Sequence, residues 1–508
     1  MLSKLNSFGL IGLEAYLVNV EVDITPGLPS ITIVGLPDNA VKESKERVRS
    51  AIKNSGYKFP AARITINLAP SDIKKEGPAF DLAIALGILS ASNQIESQNL
   101  KQYIILGELG LGGEVKAIKG SLPIAMALAQ VKLNSLILPE ENSTEAAIVE
   151  KIKAYPVKTL LEVINFLSDT TSIAPKTIDM EALFKENLHY TLDFSDVKGQ
   201  TQVKRGLEVA VAGGHNILLI GPPGSGKTMM SKRIPTIMSY MTLEEALETT
   251  KIHSILGLSQ KGIIAQRPFR APHHTSSDVA IVGGGPFPKP GEVSLSHNGV
   301  LFLDELPEFH RNVLEALRQP LEDGFVTIAR ATKVLKFPSS FMLVAAMNPC
   351  PCGYFTDPKK ECHCNPNQIR KYLSKISGPL LDRIDIHIEV ASLKYPELTS
   401  ERVSEDSNQI RKRVNQSRNI QQKRFKGTKI YCNGQMSHQE IKKHCAINEP
   451  AKELLKMAME ELNFSARAYD KIIKISRTIA DLSDSEDIKS EHISEAIQYR
   501  CLDRQFWA

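Results

Sequence analysis

Eight consecutive residues near the middle of the chain have the types needed to hold a chain of phosphates. Glycines among them allow backbone N–H groups to approach phosphate oxygens, because a Cβ atom there would obstruct the contact. The lysine can place its ammonium against the β- and γ-phosphates, and the threonine hydroxyl can bind Mg²⁺. The octet consists of Gly221, Pro222, Pro223, Gly224, Ser225, Gly226, Lys227 and Thr228. It predicts a binding site for a nucleoside triphosphate together with Mg²⁺.

The segments on either side of this octet favour a phosphate-binding loop over an ordinary turn. Residues 216–220 form an apolar run typical of a buried strand, and residues 229–234 are compatible with a helix. A strand, a glycine-rich turn and the start of a helix therefore occur in the order that a P-loop requires. A ligand-free turn rich in glycine and proline is the alternative, and this context disfavours it.

An acidic pair further along the chain could complete the site. Residues 299–303 are mostly apolar and are followed by Asp304 and Glu305, the pattern of a Walker B strand that is buried on both faces. Asp304 would hold Mg²⁺, mostly through water, and Glu305 would orient and polarise the attacking water. The alternative is an acidic pair that caps the helix expected to follow.

Three further polar residues could act on the γ-phosphate. A third buried strand is predicted at residues 341–347, and the amide of Asn348 at its end could hold the attacking water or the γ-phosphate. Arg383 follows a Gly-Pro break and suits an arginine finger, because its planar, permanently charged guanidinium can stabilise transition-state charge. A surface ion pair with a neighbouring aspartate is the alternative for Arg383. Arg467 opens a C-terminal helix and could reach the γ-phosphate from a lid.

Four cysteines lie within a short segment, residues 350–364, as two Cys-x-Cys pairs. Four thiolates favour tetrahedral Zn²⁺, and a closed four-sulfur site is structural rather than catalytic. The predicted ligands are Cys350, Cys352, Cys362 and Cys364. Free thiols or a redox pair are the alternatives, and His363 could replace one sulfur.

Composition describes an ordinary globular protein of several domains. The chain has 508 residues, of which 42% are hydrophobic and 23% are charged. This length predicts two to four domains. A net charge of +5 permits nucleic-acid binding without arguing for it. The N-terminus has no signal-peptide pattern, and no apolar run approaches the roughly 20 residues that span a bilayer. We therefore expect a cytoplasmic protein without a membrane partner.

Composition and periodicity divide the chain into four regions. Residues 1–170 alternate strand and helix patterns and predict a separate α/β domain. Residues 171–192 are predicted to be a linker. Residues 193–397 contain the nucleotide-site motifs and the cysteine cluster. Residues 398–508 are predicted to form a charge-rich helical segment followed by a small helical lid.

Taken together, these motifs resemble those of the AAA+ ATPases of the helix-2-insert clade. Four segments, at residues 269–277, 348–353, 377–385 and 499–504, more narrowly resemble the ComM/YifB family of magnesium-chelatase-like proteins, and the resemblance extends from about residue 5 to the C-terminus. It implies an AAA+ P-loop core with a helical lid. It also implies a homo-hexamer that hydrolyses ATP between subunits, with Arg383 acting on the neighbour's nucleotide.

The same resemblance implies a role on DNA. Characterised members of the family are branch-migration helicases that help to integrate single-stranded DNA during natural transformation, so the implied partners are single-stranded and branched DNA and other recombination proteins. Two hairpins are expected to line the pore, one at residues 282–290 with Lys289 and one at residues 326–335 with Arg330 and Lys333. For the second hairpin, a plain β-hairpin with solvated charges is the alternative.

The resemblance also suggests which residues would contact adenine. The segment at residues 194–200 is similar to the one that precedes the P-loop and contacts adenine in AAA+ proteins. Phe194 and Val197 are the candidates, although both are equally well explained as core residues.

The N-terminal domain resembles the proteolytic domain of Lon proteases, an S5-like fold, over about 150 residues. Ala79 stands where those enzymes carry the nucleophilic serine, and Ile124 aligns with their partner lysine. A Ser–Lys mechanism requires a nucleophile and an adjacent base, and neither is present at these positions. We therefore predict a Lon-like domain without peptidase activity that serves in assembly or DNA handling.

Two other functions compete with a DNA motor. One is a chelatase-type motor subunit that remodels a protein partner and uses the same ATP site. The other is an ATP-dependent protease, which Ala79 and Ile124 disfavour.

Overall fold

A computed structural model describes most of the chain. The described residues are 1–96, 99–131, 133–259, 262–285, 288–329, 334–355, 357, 360–392, 404–428, 430–462 and 465–502. The chain forms two compact units, Met1–Leu188 with Leu243–Ala265 and His189–Thr242 with Gln266–Ala508. This division differs from the expected regions in two ways. Residues 243–265 join the first unit rather than the ATPase core, and most of the expected linker also belongs to that unit.

The first unit contains a mixed sheet. Among the described residues, seven strands pair in the order β3-β4-β2-β1-β5-β8-β9. In β2, the fully buried Val18, Val20 and Val22 alternate with the more exposed Asn19 and Glu21, as expected for a half-buried strand. The strands of this unit are β1 Leu2–Ile11, β2 Glu14–Thr25, β3 Ser30–Val34, β4 Arg63–Ala69, β5 Tyr103–Ile105, β6 Glu108–Leu109, β7 Val115–Lys116, β8 Ser135–Pro139 and β9 Lys153–Val157.

Helices pack on this sheet and bury its core. The helix Asp81–Ala91 is apolar around nearly its whole circumference and is buried along its whole length. The helix Leu243–Leu256 packs against Ser121–Leu128, and Gly120 N donates to Ser254 O at 3.0 Å. The described α-helices of this unit are Asn39–Asn54, Asp81–Ala91, Ser121–Leu128, Glu140–Ala147, Leu160–Leu167, Met180–Glu186 and Leu243–Leu256.

The second unit contains a parallel sheet. Five described strands pair in the order β11-β14-β17-β10-β18, all in parallel. Strands β10, β14 and β17 are buried on both faces, which explains their continuous apolar sequences. The predicted strands at residues 216–220, 299–303 and 341–347 are confirmed. The strands are β10 Ile217–Ile220, β11 Phe269–Arg270, β14 Val300–Leu303, β17 Met342–Met347 and β18 Ile386–Glu389.

Two small pairs of antiparallel strands also belong to this unit. The strands β12 Gly283–Gly284 and β13 Lys289–Pro290 pair antiparallel, as do β15 Phe325–Ala329 and β16 Val334–Pro338. Both segments that were expected to be hairpins therefore have the paired strands that such hairpins need.

Helices surround the parallel sheet and continue into a C-terminal helical region. The described α-helices before residue 390 are Thr201–Gly213, Lys227–Ser231, Ile234–Ile237, Asp278–Val282, Glu292–Leu295, Arg311–Ala316, Arg318–Asp323, Pro366–Leu373 and Gly378–Leu381. Those of the C-terminal region are Ser407–Arg424, His438–His444, Glu449–Glu461, Ala466–Leu482 and Ser490–Gln498. All five lie within residues 398–508, which were predicted to be helical. Among the described residues, no helix is both long enough and apolar enough to cross a membrane.

Candidate nucleotide-binding site

The parallel sheet brings the site residues to one edge. Strands β10, β14 and β17 end at Ile220, Leu303 and Met347, and Ile220 pairs with Met347 while Leu303 pairs with Ala345. Ligands in open α/β sheets bind at the carboxyl ends of the strands. The residues that follow these strands, which are the P-loop, the acidic pair and Asn348, therefore meet at the edge where a ligand is expected.

Close packing and backbone conformation account for glycine in the P-loop. A Cβ atom on Gly221 would lie 2.2 Å from Val390 O, and Gly224 and Gly226 have φ values of +77° and +91°. Side chains with a Cβ rarely adopt such left-handed conformations. Ser225 Oγ donates to Pro222 O at 2.9 Å and closes the turn. The loop is thus wound tightly between the end of β10 and the helix Lys227–Ser231.

Lys227 points back into the loop. Its Nζ donates to Gly221 O at 2.7 Å, to Pro222 O at 2.9 Å and to Asn348 Oδ1 at 3.3 Å. Burial lowers the pKa of Lys227 to about 8, and the Asp304 carboxylate opposes that shift. The contact with Asn348 brings together the lysine predicted to bind phosphate and the amide predicted to hold the attacking water or the γ-phosphate.

The predicted Mg²⁺ ligands lie side by side. Thr228 Oγ1 donates to Asp304 Oδ2 at 2.6 Å, and Glu305 N donates to Asp304 Oδ1 at 3.0 Å. Hydroxyl and carboxylate oxygens are hard ligands that suit Mg²⁺, which keeps most of its waters in such sites. Thr228 and Asp304 therefore fit a Mg²⁺ ion, which would offset the negative charge of the phosphates.

Glu305 has a partner that the motifs did not predict. His274 Nδ1 lies 3.2 Å from Glu305 Oε2, and Glu305 has a left-handed φ of +52°. The ring of His273 stacks on His274 at 4.2 Å between centroids. The left-handed backbone conformation of Glu305 is uncommon for a residue other than glycine and is enriched at functional sites. The adjacent histidines His273 and His274 stand out within residues 269–277, but the sequence alone does not predict a role for them.

The two predicted arginines form ion pairs within the second unit. Arg383 donates to the Pro379 carbonyl and to Glu322, and its side chain is 13% exposed. Arg467 Nη1 lies 3.0 Å from Asp382 Oδ2. Asp382 is thus bonded to Arg467 and is adjacent in sequence to Arg383. Their roles on the γ-phosphate stay predictions.

The segment that carries Arg383 is fixed by a buried network. Asp385 lies 3.5 Å from Lys471 Nζ and 3.5 Å from His215 Nδ1, and Lys471 Nζ also donates to Ile384 O at 3.0 Å. Burial raises the pKa of Asp385, but the neighbouring Lys471 and His215 lower this pKa by a larger amount, so the net shift is downward. Burial lowers the pKa of Lys471 to about 8. This network joins the helix that carries Arg467 to the Arg383 segment.

The four predicted cysteines come together. Their sulfurs all lie within 4.8 Å of one another. Cys350 Sγ is 3.3 Å from Cys352 Sγ and 3.7 Å from Cys362 Sγ, and Cys352 N donates to Cys364 Sγ at 3.4 Å. Four sulfurs held tetrahedrally at about 2.3 Å from one Zn²⁺ would be about 3.8 Å apart. The spacing of this donor set fits a tetrahedral metal ion.

Comparison with known proteins identifies the family. Three regions match models for parts of one subunit: residues 193–398 match "Magnesium chelatase, subunit ChlI", residues 20–142 match "Subunit ChlI of Mg-chelatase", and residues 404–500 match the C-terminal part of that subunit. The chain is 45% identical to competence protein ComM of Haemophilus influenzae over 500 residues, covering 97% of this chain and 96% of that protein. The chain belongs to the ComM/YifB family. It is also 42% identical to protein YifB of Escherichia coli over 508 residues, covering 99% of this chain and 98% of that protein.

Membership of the family confirms the expected fold. The second unit is an AAA+ P-loop core of the magnesium-chelatase type with helices following it. The N-terminal region is 31% identical to Lon protease 2 of Bacillus subtilis over 168 residues, covering 29% of this chain and 30% of that protein. The N-terminal region is therefore partly similar to Lon proteases, as expected.

The two residues predicted to stand at the positions of the Lon catalytic pair, Ala79 and Ile124, are apolar. Ala79 lies in the short 3₁₀ helix Pro78–Phe80, and Ile124 is 1% exposed in the helix Ser121–Leu128. Both residues pack in one apolar cluster. Neither carries a group that could attack a carbonyl or accept a proton.

Phe194 and Val197 are core residues of the second unit. Phe194 is 0% exposed and Val197 is 1% exposed, and both belong to the main apolar cluster around the sheet. Phe194 N donates to Ser407 Oγ at 2.8 Å, which ties this segment to the helix Ser407–Arg424. A contact with adenine stays a prediction for both residues.

The predicted DNA-contacting residues are only partly described. Lys289 lies in β13 of the first hairpin and is exposed. Arg330 and Lys333 belong to the expected second hairpin and lie outside the described residues. Their contacts with DNA stay predictions.

Proposed function

We propose that this protein is an ATP-driven DNA motor that promotes branch migration. In this role it would work in the cytoplasm as a homo-hexamer on single-stranded and branched DNA, with other recombination proteins. It would help to integrate single-stranded DNA during natural transformation. ATP hydrolysis would take place between subunits, and DNA would pass through the ring.

The geometry of the nucleotide site supports ATP hydrolysis. Lys227 would neutralise the β- and γ-phosphates, while Thr228 and Asp304 would hold Mg²⁺. Glu305 would orient the attacking water, as a carboxylate at the end of a buried strand can do. Asn348 is close enough to Lys227, at 3.3 Å, to act on the same phosphate group. Arg383 and Arg467 would then add positive charge in the transition state.

One observation carries the assignment to DNA. The similarity to a protein named for competence covers 97% of this chain, so it includes the Lon-like region and the cysteine segment as well as the AAA+ core. Two described hairpins and the exposed Lys289 offer a surface for a phosphate backbone.

We also propose that the four cysteines bind one structural Zn²⁺ ion. The sulfur spacing described above supports this assignment, and four protein ligands leave no open position for catalysis. Metal analysis of the purified protein should give close to one zinc per chain. Zinc at background levels would eliminate the site.

The motor proposal is tested by branch migration on synthetic three- and four-way DNA junctions. We expect ATP-dependent movement of the junction that is lost in Lys227→Ala. Glu305→Gln should still bind ATP but should hydrolyse it at least about 100-fold more slowly, because the carboxylate that orients water is gone. Wild-type turnover in Glu305→Gln would remove Glu305 from this role.

A chelatase-type motor that remodels a protein partner is the second candidate. The matches to magnesium chelatase subunit ChlI favour it. The two candidates differ in their response to DNA. ATPase activity that rises with DNA supports the DNA motor, whereas activity unaffected by any DNA, with no mobility shift, supports the chelatase-type motor. Cleavage of casein would revive a protease function and contradict both.

A further inference from the structure

The cysteine segment touches the P-loop at two points. Asn348 Oδ1 accepts from Lys227 Nζ at 3.3 Å. Five residues further along, a Cβ atom on Gly353 would lie 2.6 Å from Pro223 Cδ, so the Gly353 backbone lies directly against the P-loop. The stretch between these contacts contains Cys350 and Cys352. The first cysteine pair, Cys350 and Cys352, therefore lies in the segment that packs against the P-loop.

The first cysteine pair is anchored inside the second unit. Cys350 is fully buried and packs in the apolar cluster that contains Leu218 and Ile220 of β10. Gly353 N donates to Cys350 O at 3.0 Å and to Cys350 Sγ at 3.2 Å, and Gly353 has a φ of +87°. Backbone N–H groups that donate to ligand sulfurs orient the ligands and hold the surrounding loop in one conformation. Both bonds tie Gly353 to Cys350, so the position of Gly353 against Pro223 depends in part on how the Cys350 sulfur is held.

The second cysteine pair comes from a different part of the segment. Cys362 Sγ lies 3.7 Å from Cys350 Sγ and 3.6 Å from Cys352 Sγ. Immediately after Cys364, Asn365 forms a capping box with Gln368 at the start of the helix Pro366–Leu373. A metal ion on all four sulfurs would tie this helix to the segment that supports the P-loop.

We propose that Zn²⁺ bound by the four cysteines holds the P-loop in the conformation that binds ATP, so that occupancy of the metal site controls nucleotide affinity. This inference rests on the proposed ATP and zinc sites. Two sites that stabilise one conformation are coupled, and the coupling is reciprocal. Zinc should raise the affinity for ATP, and ATP should raise the affinity for zinc by the same factor. The coupling expected for such linked sites is about 5-fold or more.

The experiment measures both affinities on the full-length protein. A fluorescent ATP analogue with Mg²⁺ is titrated into zinc-loaded protein, into protein stripped by a chelator that is then removed, and into stripped protein reloaded with zinc. A competing metal indicator gives the zinc affinity with and without ATP. We expect nucleotide affinity to fall by about 5-fold or more on stripping and to return on reloading.

Gly353→Ala tests the contact without removing a sulfur. The new Cβ would push against the Pro223 ring, so we expect zinc content to stay near one per chain while ATP affinity falls. Gly427→Ala is the matched control, because Gly427 has a similar φ of +83° with no heavy atom within 4 Å of the added Cβ. The control separates the cost of a left-handed alanine from the loss of the P-loop contact. It should bind both ligands as wild type does.

The outcomes distinguish this inference from the proposals beneath it. Equal ATP affinity in zinc-loaded and stripped protein, with wild-type ATP affinity in Gly353→Ala, would overturn the coupling while leaving both sites in place. Protein that contains no zinc would overturn the coupling together with the zinc site, and the ATP site would stand. Zinc-loaded protein that binds no ATP would instead overturn the proposed function.

Discussion

At the scale of single residues, burial and charge act in opposite directions on Lys227. Burial lowers the pKa of Lys227 to about 8, while the Asp304 carboxylate favours the charged form. The phosphates of ATP would favour the charged form much more strongly. Binding of ATP above pH 8 should therefore be accompanied by uptake of a proton.

We accordingly expect the affinity for ATP to fall as the pH rises above 8, by at most about tenfold for each pH unit. Lys227 is charged in the free protein below that pH, so the affinity should change little there on its account. Calorimetry in two buffers of different ionisation enthalpy measures the protons taken up. The exposed Lys232 provides the control, since Lys232→Ala should keep this dependence. Binding at pH 8.5 without proton uptake would contradict the prediction.

His274 gives a second prediction at this scale. The 3.2 Å contact between His274 and Glu305 holds the carboxylate in one orientation, and positioning of a general base contributes strongly to its rate effect. We expect His274→Ala to lower kcat for ATP about tenfold while leaving the Kd for ATP unchanged. His273→Ala is the neighbouring control and should have a smaller effect. A loss of ATP affinity in His274→Ala, with an unchanged kcat, would show that the histidine acts on binding instead.

At the scale of elements, the first hairpin offers a test of DNA contact. Lys289 lies on its second strand and is exposed, so it can meet a DNA phosphate. Lys289→Ala should weaken DNA binding for all sequences and reduce the slope of log affinity against log salt by about 1. Titrations at several salt concentrations measure that slope. Lys456→Ala, an exposed lysine on the helix Glu449–Glu461, should leave it unchanged. An unchanged slope in Lys289→Ala would remove this hairpin from the DNA interface.

The C-terminal helices are joined by a buried ionic network. Asp481 is 0% exposed and accepts from Arg424 Nη1 at 2.7 Å, from Arg477 Nε at 3.0 Å and from Asn433 Nδ2 at 2.8 Å. Arg424 ends the helix Ser407–Arg424, whereas Asp481 lies in the helix Ala466–Leu482. The network therefore fixes the helix Ser407–Arg424 against the helix Ala466–Leu482.

Asp481→Asn should destabilise this region strongly. Removal of one partner from a buried ion pair leaves the remaining charge without compensation, which costs about 3–5 kcal/mol in the free energy of unfolding. We expect a lower midpoint of thermal unfolding by calorimetry. Asp484→Asn, at an exposed position with a left-handed φ that asparagine tolerates, should unfold like wild type. A wild-type midpoint for Asp481→Asn would mean that the network does not stabilise these C-terminal helices.

Elements also differ in how well sequence predicts them. Strands β10, β14 and β17 are continuous apolar runs, because parallel strands covered on both faces need apolar residues throughout. Their positions were predicted almost to the residue. The strands β1, β8 and β9 and the helix Glu140–Ala147 were not predicted. In β1, the buried Ser3 and Ser7 interrupt the apolar pattern of the inner face, and pairing with β2 along its whole length holds the strand in place.

At the scale of the whole molecule, the central prediction concerns how copies of the chain share a site. In the proposed ring, Arg383 of one subunit completes the site that contains Lys227 of its neighbour. Lys227→Ala and Arg383→Ala should each abolish ATPase activity alone. In rings assembled from equal amounts of the two variants, some interfaces would combine an intact Lys227 from one variant with an intact Arg383 from the other. Random assembly makes these on the order of a quarter of all interfaces.

We therefore expect ATPase activity to reappear when the two variants are mixed, measured by phosphate release. Mixing either variant with the double variant Lys227→Ala, Arg383→Ala should restore none, because no such interface could form. A mixture of the two single variants that stays inactive, while each still assembles, would place Arg383 in the site of its own chain.

Sequence alone was enough to predict the residue types of the nucleotide site. Residue types and short spacings specify the P-loop, the acidic pair and the Cys-x-Cys pairs, because each is a local arrangement that a few consecutive residues can encode. Sequence resemblance along nearly the whole chain also indicated the family. The types of the side chains at positions 79 and 124 predicted, without any coordinates, that a Lon catalytic pair is absent from these positions.

Tertiary structure alone decided which of these local motifs touch. It brought His274 to Glu305 and Gly353 to Pro223, and it placed residues 243–265 in the first unit. Such contacts depend on how strands are ordered in a sheet and on how helices pack, and these depend on the burial of apolar surface from distant parts of the chain. No short window of sequence records that burial.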